Sequence, residues 1–374
     1  MRQVVISGTG VFTPDETITN EELVIAFNQY VDQQNALHAD TIEAGEREPM
    51  EYSNEEFIFK ASGILQRHVM DKSGVLDPSR MYPNLRQRDD GEPGIMTEMA
   101  IEAARAALEA AGKTPDQVQA VICAASNHER AYPAIAIEIQ DALGISGFGF
   151  DMNVACSSAT FGIQAASDMI RSGSADCILI VNPEICSGHL EWRDRDCHFI
   201  FGDVCTAVVL ETKETATSKN QFEILSTRCL TQFSNNIRNN NGFLRRSRPA
   251  GTVDRRDMQF MQNGRLVFKQ VVPIVSDMVI EHCQDEGVDP TSLRRMWLHQ
   301  ANKSMNDFIG RKVLGRVPEP QEQPNILQDY ANTSSAGSII AFSQNNADMA
   351  PDDLGIICSF GAGYSVGNVI VRKA

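Results

Sequence analysis

Residues 153–162 read NVACSSATFG and place a cysteine where an extended segment meets a helical one. The preceding GFGFDM is short and apolar, as in a strand, and the following FGIQAASDMI carries apolar residues at helical spacing. Cys156 is therefore expected just before a helix whose first turn consists of small residues. There the free backbone N–H groups and the helix dipole would lower the pKa of its thiol. Two interpretations remain open at this point, a reactive nucleophile and a small buried filler.

Outward from this stretch, the chain alternates short apolar strands with amphipathic helices. The clearest strands of the first half are QVVISGTGVF, QAVICAAS, ADCILIVNPEI and CTAVVLE, and the clearest helices are TNEELVIAFNQYVDQQNAL and MTEMAIEAARAALEAAG. The second half repeats this alternation in QNGRLVFKQVVPIVSDMVIEHC, RRMWLHQAN, NDFIGRKVLG, LGIICSF and SVGNVIVRKA. Such a pattern predicts an α/β fold with parallel strands buried on both faces.

An internal echo supports two related halves. VACSSATFGIQAA in the first half resembles YANTSSAGSIIAF in the second, so that Cys156 and Asn332 precede similar runs of small residues. We interpret this as a duplication with halves at residues 1–215 and 216–374. Residues near 38–95 form a polar surface excursion with a short helix. Two helix N-termini would then meet at the centre, where we expect the active site.

Composition and charge narrow the class of protein. Of the 374 residues 42% are hydrophobic, yet no apolar run reaches the length of a membrane span. The start MRQVVISGTGVFTP lacks the apolar core of a signal peptide, so we expect a cytoplasmic protein without membrane association. Nine scattered cysteines without a CxxC pair argue against zinc. The net charge of −16 argues against a nucleic-acid partner.

One segment departs from the acidic average. NNIRNNNGFLRRSRPAGTVDRRDM concentrates six arginines, namely Arg238, Arg245, Arg246, Arg248, Arg255 and Arg256. The plain interpretation is a solvated loop whose charge is balanced by acids elsewhere. The alternative is a docking patch for an acidic or phosphate-bearing partner, since the guanidinium fork suits both groups.

A cysteine nucleophile needs a group that handles protons or charge. His299 ends the apolar strand MWLHQAN, and strand ends are where ligand chemistry collects in α/β sheets. The alternative is a core histidine whose hydrogen bonds are satisfied. Asn332 in DYANTSSAGS has the residue type of an ordinary helix N-cap, but its echo with Cys156 favours a place at the centre.

The terminal SFGAGYSVG contains Gly361 and Gly363, which would let the backbone approach a ligand closely. Its amide and that of Cys156 could form an oxyanion hole.

These motifs together resemble the β-ketoacyl-acyl-carrier-protein synthase III family of the thiolase superfamily. ACSS, IFGD, HQAN, ANTSSAGS and FGAG occur in the family's order, from ISGTG to the C-terminus, apart from the excursion. RAYPAIAIEIQDALGI, DMNVACSSATFGIQAA and VNPEICSGHL are similar to the longer β-ketodecanoyl-carrier-protein synthase branch. The resemblance implies a thiolase-like fold of two pseudo-symmetric halves in five layers, α/β/α/β/α.

The resemblance also implies an activity, the decarboxylative condensation of an acyl-CoA, such as octanoyl-CoA, with malonyl-acyl-carrier-protein in fatty-acid synthesis. Cys156 would carry the acyl group, with the amides of Cys156 and Ala362 as oxyanion hole. His299 and Asn332 would stabilise the enolate formed as carbon dioxide leaves. No metal, redox group or other cofactor is implied.

Peripheral roles follow from the same resemblance. Expected CoA and substrate contacts are Phe57, Lys60, Arg195, Asn302 and, from a partner subunit of a homodimer, Tyr132. Expected carrier-protein contacts are Arg245, Arg246, Arg248 and Lys303. Two alternatives stay open: an enzyme of the same superfamily that transfers or condenses acyl groups onto a non-carrier acceptor, and a non-catalytic scaffold with a relic site.

Overall fold

The alternating pattern of the sequence forms a long mixed sheet with helices on both faces. A computed structural model describes residues 2–240, 242–249, 251 and 254–374, without the side chain of Arg246. The strands are β1 (Val4–Phe12), β2 (Glu16–Thr19), β3 (Gln66–Val69), β4 (Ala120–Ala124), β5 (Phe148–Met152), β6 (Cys177–Ile185), β7 (Asp203–Thr212), β8 (Phe222–Ser234), β9 (Ile237–Arg238), β10 (Met261–Gln262), β11 (Arg295–Leu298), β12 (Leu354–Gly361) and β13 (Gly363–Lys373).

The helices begin or end, in several cases, at a capping residue. They are α1 (Asn20–Leu37), α2 (Ala39–Glu43), α3 (Glu55–Ser62), α4 (Ile95–Ala111), α5 (Ile135–Leu143), α6 (Ser158–Ser172), α7 (Gly264–Asp285), α8 (Lys303–Leu314), α9 (Leu327–Tyr330) and α10 (Gly337–Gln344). Thr19 and Glu22 form a capping box at the start of α1. Glycines in the left-handed conformation end α4, α5 and α6.

The two halves share one strand order, which confirms the pseudo-symmetry expected from the internal echo. The sheet runs β11-β12-β13-β8-β1-β7-β6-β4-β5. The order is 3-2-4-5-1 when the strands of the first half are numbered along the chain, and 2-4-5-1 in the second half when each strand takes the number of its counterpart in the first. In both halves the last strand is antiparallel to its neighbours. The second half lacks a counterpart of β5 within the described residues, because the chain reaches Asn332 through the single turn of α9.

The layers follow from which helices each half of the sheet contacts. Helices α4 and α5 cover the outer face of the first half, and α7 packs against the outer face of the second with α8 alongside it. Helices α6 and α10 lie between the halves and contact strands of both. This gives the expected α/β/α/β/α arrangement, although a short pairing of β1 with β8 joins the two half-sheets into one. The expected boundary at 215/216 falls in the loop between β7 and β8.

The excursion near 38–95 contributes buried side chains to the core. Ile58, Val69 and Val75 share an apolar cluster with Trp192 and Phe199, and all five side chains are buried. The excursion therefore packs onto the segment that follows β6 and forms one side of the central region. None of the helices in the described part of the chain is long and apolar enough to cross a membrane.

Candidate active site

Cys156 lies in the turn that joins β5 to α6, at the junction expected from the sequence. Ala155 before it adopts a φ of +48°, a left-handed conformation that an alanine rarely takes. Two hydroxyls of the same turn brace it. Ser158 Oγ accepts from the backbone N–H of Val154 at 2.9 Å, and Ser157 Oγ donates to the carbonyl of Ser365 at 3.1 Å. The turn that carries Cys156 is thus fixed to β13 of the other half.

The sulfur of Cys156 is surrounded by donors from both halves. The backbone N–H groups of Ala362 and of Cys156 itself stabilise negative charge on it. The Ser334 hydroxyl lies 3.5 Å from Sγ. The backbone at Gly361 comes so close that a Cβ there would lie 2.6 Å from the Cβ of Cys156. Two backbone amides therefore converge beside the sulfur.

The expectation of a lowered thiol pKa is wrong. Burial, together with the charge of Glu184, raises the pKa of the Cys156 thiol to about 11. The hydroxyl of Ser334 and the two amides act in the opposite direction but do not offset the loss of hydration. The helix N-terminus favours the thiolate, as expected from the local sequence. The loss of hydration that outweighs it results from tertiary packing.

His299 follows β11 and is 2% exposed. Its backbone N–H donates to the carbonyl of Cys358 at 2.7 Å, and its ring meets that of Phe360 at right angles, 5.1 Å between centroids. Burial lowers the pKa of His299 to about 3, so the imidazole is neutral at physiological pH. Its Nδ1 is buried without a hydrogen-bond partner among the described residues, although the Ser334 backbone lies near enough to favour the protonated ring.

Asn332 approaches the same point from the second half. Its backbone N–H donates to Ile200 at 2.9 Å, and its carbonyl accepts from Gly202 at 3.1 Å. The side-chain oxygen accepts the N–H of Ser334 at 2.9 Å, which fixes the amide plane and leaves the Nδ2 amino group as the free donor. Asn332 thus braces the backbone two residues ahead of it, but the N-cap of the helical turn that follows is Thr333.

One cavity of about 450 Å³ brings the three residues together. Cys156, His299 and Asn332 line it, with Asn302 and Phe360. The rest of the lining is largely apolar and includes Phe199, Ile200, Phe201, Phe260, Val267, Phe268 and Met305. A cavity with apolar walls and a few convergent polar groups is the usual form of a small-molecule site.

The expected CoA contacts lie around α3. The Arg195 guanidinium lies 4.1 Å above the Phe57 ring, and its Nε donates to the Tyr52 carbonyl at 2.8 Å. Lys60 is exposed on the same helix. Asn302 lines the cavity, caps α8 through its side-chain oxygen, and donates to the Ala61 carbonyl at 2.6 Å.

Two other groups of expected contacts lie further out. Tyr132 is 84% exposed on the loop after β4 and contributes nothing to the cavity of its own chain. Arg248 and Lys303 are exposed, and they pair with Asp257 and Asp307 at 2.7 Å. The side chain of Arg246 lies outside the described part of the structure.

Arg245 corrects the expectation of a uniformly exposed basic patch. It is 8% exposed and donates to the carbonyl of Asp254, with Asp257 3.8 Å away. Because burial within its own segment commits this guanidinium, it is unsuited to dock a partner. Arg265, which the sequence reasoning did not single out, is exposed and lines the cavity instead.

Sequence reasoning also missed a buried carboxylate behind the site. Glu184, in β6, accepts from the N–H of Ser126 at 2.9 Å and from the N–H of Ser335 at 3.2 Å. Both serine hydroxyls donate to it as well. Burial raises the pKa of Glu184 to about 7 despite these bonds. The carboxylate ties the turn around Asn332 to the first half, and its position in an apolar strand gave no signal.

One group of potential metal ligands lies elsewhere. Cys123, His128 and Asp151 place one ligand atom each within 4.8 Å of one another. Asp151 accepts the N–H groups of Ile135 and Ala136, both at 2.8 Å, and therefore caps α5. The group is thus accounted for by helix capping, away from the cavity.

Comparison with known proteins places these features in context. Models of the 3-oxoacyl-[acyl-carrier-protein] synthase III family and of its C-terminal part match residues 150–232 and 283–373. A β-ketodecanoyl-[acyl-carrier-protein] synthase of Pseudomonas aeruginosa is 56% identical over 348 residues, 93% of this chain and 99% of that protein. A β-ketoacyl-[acyl-carrier-protein] synthase III of Acidiphilium cryptum is 30% identical over the full length of both chains. The crystal structure of 3-oxoacyl-[acyl-carrier-protein] synthase III from Aquifex aeolicus has the same fold, with a TM-score of 0.76 at 24% identity over 99% of each chain.

Proposed function

The chain belongs to the 3-oxoacyl-acyl-carrier-protein synthase III family, and we propose that its reaction joins a medium-chain acyl-CoA to malonyl-acyl-carrier-protein through an acyl group on Cys156. It is a condensing acyltransferase of fatty-acid synthesis, like the relatives it matches. The observation that carries the assignment of residues is the convergence of Cys156, His299 and Asn332 on one cavity, with two backbone amides at the sulfur. The 56% identity to a β-ketodecanoyl synthase supports octanoyl-CoA as donor, since a two-carbon extension of octanoyl gives β-ketodecanoyl.

The first step is acyl transfer to sulfur. Cys156 Sγ attacks the thioester carbonyl, and the N–H groups of Cys156 and Ala362 hold the oxygen as it becomes negative. The carbon–sulfur bond to CoA then breaks, and the proton of the thiol leaves with CoA as its free thiol. His299 does not retain that proton, because the pKa of its imidazole lies at about 3 and the ring is therefore neutral.

The second step is decarboxylation and carbon–carbon bond formation. Asn332 Nδ2 and the His299 ring, through Nε2, donate to the carbonyl oxygen of the malonyl thioester. As carbon dioxide leaves, its bonding electrons enter the enolate that these donors stabilise. The enolate carbon attacks the acyl carbonyl, and the bond to Cys156 breaks to release the β-ketoacyl product. The Cys156 thiolate then takes a proton from water. Decarboxylation drives the reaction, so the scheme uses no metal or redox cofactor.

The acceptor and CoA would enter past α3 and α8. Arg195, Phe57 and Lys60 lie there for the nucleotide of CoA, and Asn302 lines the passage to Cys156. We propose that Arg248, Arg265 and Lys303 contact the acidic carrier protein. Arg245 does not take part, because it is buried.

We propose a homodimer that pairs through β5. This strand ends the sheet, and its outer edge pairs with no described residue. Phe148 at its start is exposed, as are Tyr132 and Ile137 nearby. An unpaired edge strand with exposed apolar side chains favours pairing with a second copy.

We also propose a cytoplasmic location. Nine cysteines, all free thiols, are consistent with it.

The test is a screen of saturated acyl-CoA donors from two to about twelve carbons, the range of common acyl-CoA pools, with malonyl carrier protein or malonyl-CoA as acceptor. The proposal predicts the highest kcat/KM with donors near eight carbons and a lower KM for the carrier-bound acceptor. Arg248→Ala and Arg265→Ala should raise KM for the carrier-bound acceptor more than for malonyl-CoA. Equal KM values for both acceptors, unchanged in these variants, would favour a non-carrier acceptor.

A further inference from the structure

A second cavity of about 800 Å³ lies behind the Cys156 cavity. Phe201 and Phe260 line the first cavity, and His189 lines the second. Ring contacts join these three side chains, with centroids 4.8 Å apart for Phe201 and Phe260 and 5.3 Å apart for His189 and Phe201. Aromatic side chains in mutual contact therefore lie between the two cavities.

The second cavity has a strongly positive side. Arg193 and Arg255 line it, and no carboxylate of the described residues lies within ion-pair distance of either guanidinium. Arg193 donates to the backbone carbonyl of Arg80 at 2.7 Å, and its Nε is buried without a partner. Arg255 lies 5.0 Å above the ring of Tyr82. Arg193 is partly buried and Arg255 is exposed, and guanidinium groups without a counter-ion favour an anion in the space they face.

The acid on the cavity wall does not supply that anion. Glu129 accepts the backbone N–H groups of Ile95 and Met96 at 3.1 and 2.8 Å, so its carboxylate caps α4. Its charge is held by the helix N-terminus rather than by the arginines.

A neutral polar group also lacks a partner in this cavity. Gln259 is 3% exposed, lines the cavity, and neither its amide nitrogen nor its amide oxygen has a hydrogen-bond partner among the described residues. Buried amides are normally paired, because each unpaired group forfeits its hydration. The apolar wall includes Leu85, Ile185 and Met258, while Ser79, Arg80 and Asn127 add polar groups to the lining.

We propose that this second cavity binds a carboxylate carried on a hydrocarbon chain. The guanidinium groups of Arg193 and Arg255 meet the carboxylate, Gln259 supplies a further hydrogen bond, and the apolar wall takes the chain. Two sources offer this chemistry. One is the far carboxyl end of a dicarboxylic acyl group on Cys156 that passes Phe260, a route that rests on the proposed function. The other is a free fatty acid.

The first experiment measures equilibrium binding to the full-length enzyme by isothermal titration calorimetry. Octanoate should bind at least about tenfold more tightly than octanol, which lacks the charge, a difference of about 1.4 kcal/mol. The doubly substituted Arg193→Gln/Arg255→Gln protein should lose this preference, and Gln259→Leu should reduce it. Arg105→Gln removes the same charge from an exposed site on α4 away from the cavity, and it should keep the preference.

The second experiment compares acylation of Cys156 by octanoyl-CoA and by the eight-carbon dicarboxylic monothioester of CoA, read by intact-protein mass. If the ligand is a dicarboxylic acyl group, the kcat/KM for the dicarboxylic thioester, divided by that for octanoyl-CoA, should fall by about tenfold or more in Arg193→Gln/Arg255→Gln. An unchanged ratio, with octanoate binding still dependent on the arginines, assigns the cavity to free fatty acid.

The proposal is overturned if octanoate and octanol bind equally or if their ratio is the same in the double variant. Filling of the cavity by a partner subunit would give that result. If neither thioester acylates Cys156, the proposed condensation fails, and the calorimetry alone still decides whether the cavity binds a carboxylate.

Discussion

The hydroxyl of Ser334 lies 3.5 Å from the sulfur of Cys156, across the boundary between the two halves of the chain. Ser334 lies two residues after Asn332 and donates its backbone N–H to the Asn332 side chain. The backbone of Ser334 also lies beside the His299 ring. One residue of the second half therefore contacts all three members of the proposed catalytic set.

Replacement of this serine should change the ionisation of the thiol. The hydroxyl favours the thiolate, so Ser334→Ala should raise the pKa of Cys156 above its present value of about 11, on the order of one pH unit for the loss of one charge-assisted hydrogen bond. The pH dependence of iodoacetamide alkylation checks this, with Ser174→Ala on the surface as control. A lower alkylation pH in Ser334→Ala would contradict it.

Gly361 should tolerate no side chain. A Cβ there would lie 2.6 Å from that of Cys156 and 3.0 Å from its sulfur, so Gly361→Ala must displace the nucleophile. We expect acylation to slow by about 100-fold, the usual effect of a misplacement near 1 Å. The measurement is the rate of acyl-enzyme formation by mass spectrometry. Gly91→Ala, where a Cβ meets open space, is the matched control, and equal rates in both variants would refute the steric argument.

His299 and Asn332 should matter for the second step more than for the first. His299→Ala and Asn332→Ala each remove one donor to the enolate, so release of carbon dioxide from malonyl carrier protein should fall by about 100- to 1000-fold. Acyl transfer to Cys156 should stay measurable in both variants. If His299→Ala abolished acyl transfer instead, the histidine would act chiefly as the base for the thiol.

Glu184 should make the protein less stable as pH rises. Burial holds its folded pKa at about 7, above the ordinary 4.5, so the folded state retains a proton that the unfolded state has lost between these values. The free energy of unfolding therefore falls across this window, by on the order of 3 kcal/mol at most. Asp203, whose pKa burial raises to about 6, adds a similar fall at lower pH.

Glu184→Gln tests this assignment. The glutamine oxygen can accept from the N–H groups of Ser126 and Ser335, while the charge that causes the fall is gone. Urea unfolding at pH 5 and at pH 8 should differ less in Glu184→Gln than in the wild type, with the exposed Glu109→Gln as control. An identical pH dependence in wild type and Glu184→Gln would show that another group causes it.

Local pattern was enough to locate the three central residues. The strand-to-helix junction placed Cys156, the repeated small-residue run placed Asn332, and a polar turn after an apolar strand placed His299. The alternation of strands and helices predicted the α/β class, whereas the five layers were implied by the family resemblance and the strand order was not predicted. The junction, the repeated run and the alternation depend on neighbours in sequence, so a single chain reveals them.

Features that depend on tertiary burial escaped prediction. The thiol pKa of Cys156 is raised because the folded halves exclude water, which outweighs the helix terminus beside it. Arg245 looked exposed within a polar segment but is buried by that segment's own fold. Glu184 lies in an apolar strand, and Gln259 in a segment marked only by arginines, so neither carried a local sign of its place near a cavity.

The most direct test of the account is transfer of radiolabelled octanoate from octanoyl-CoA to the protein. The account predicts one stable label per chain in the wild type, none in Cys156→Ala, and retained label in His299→Ala and Asn332→Ala. Absence of label from the wild type, or its persistence in Cys156→Ala, would contradict it.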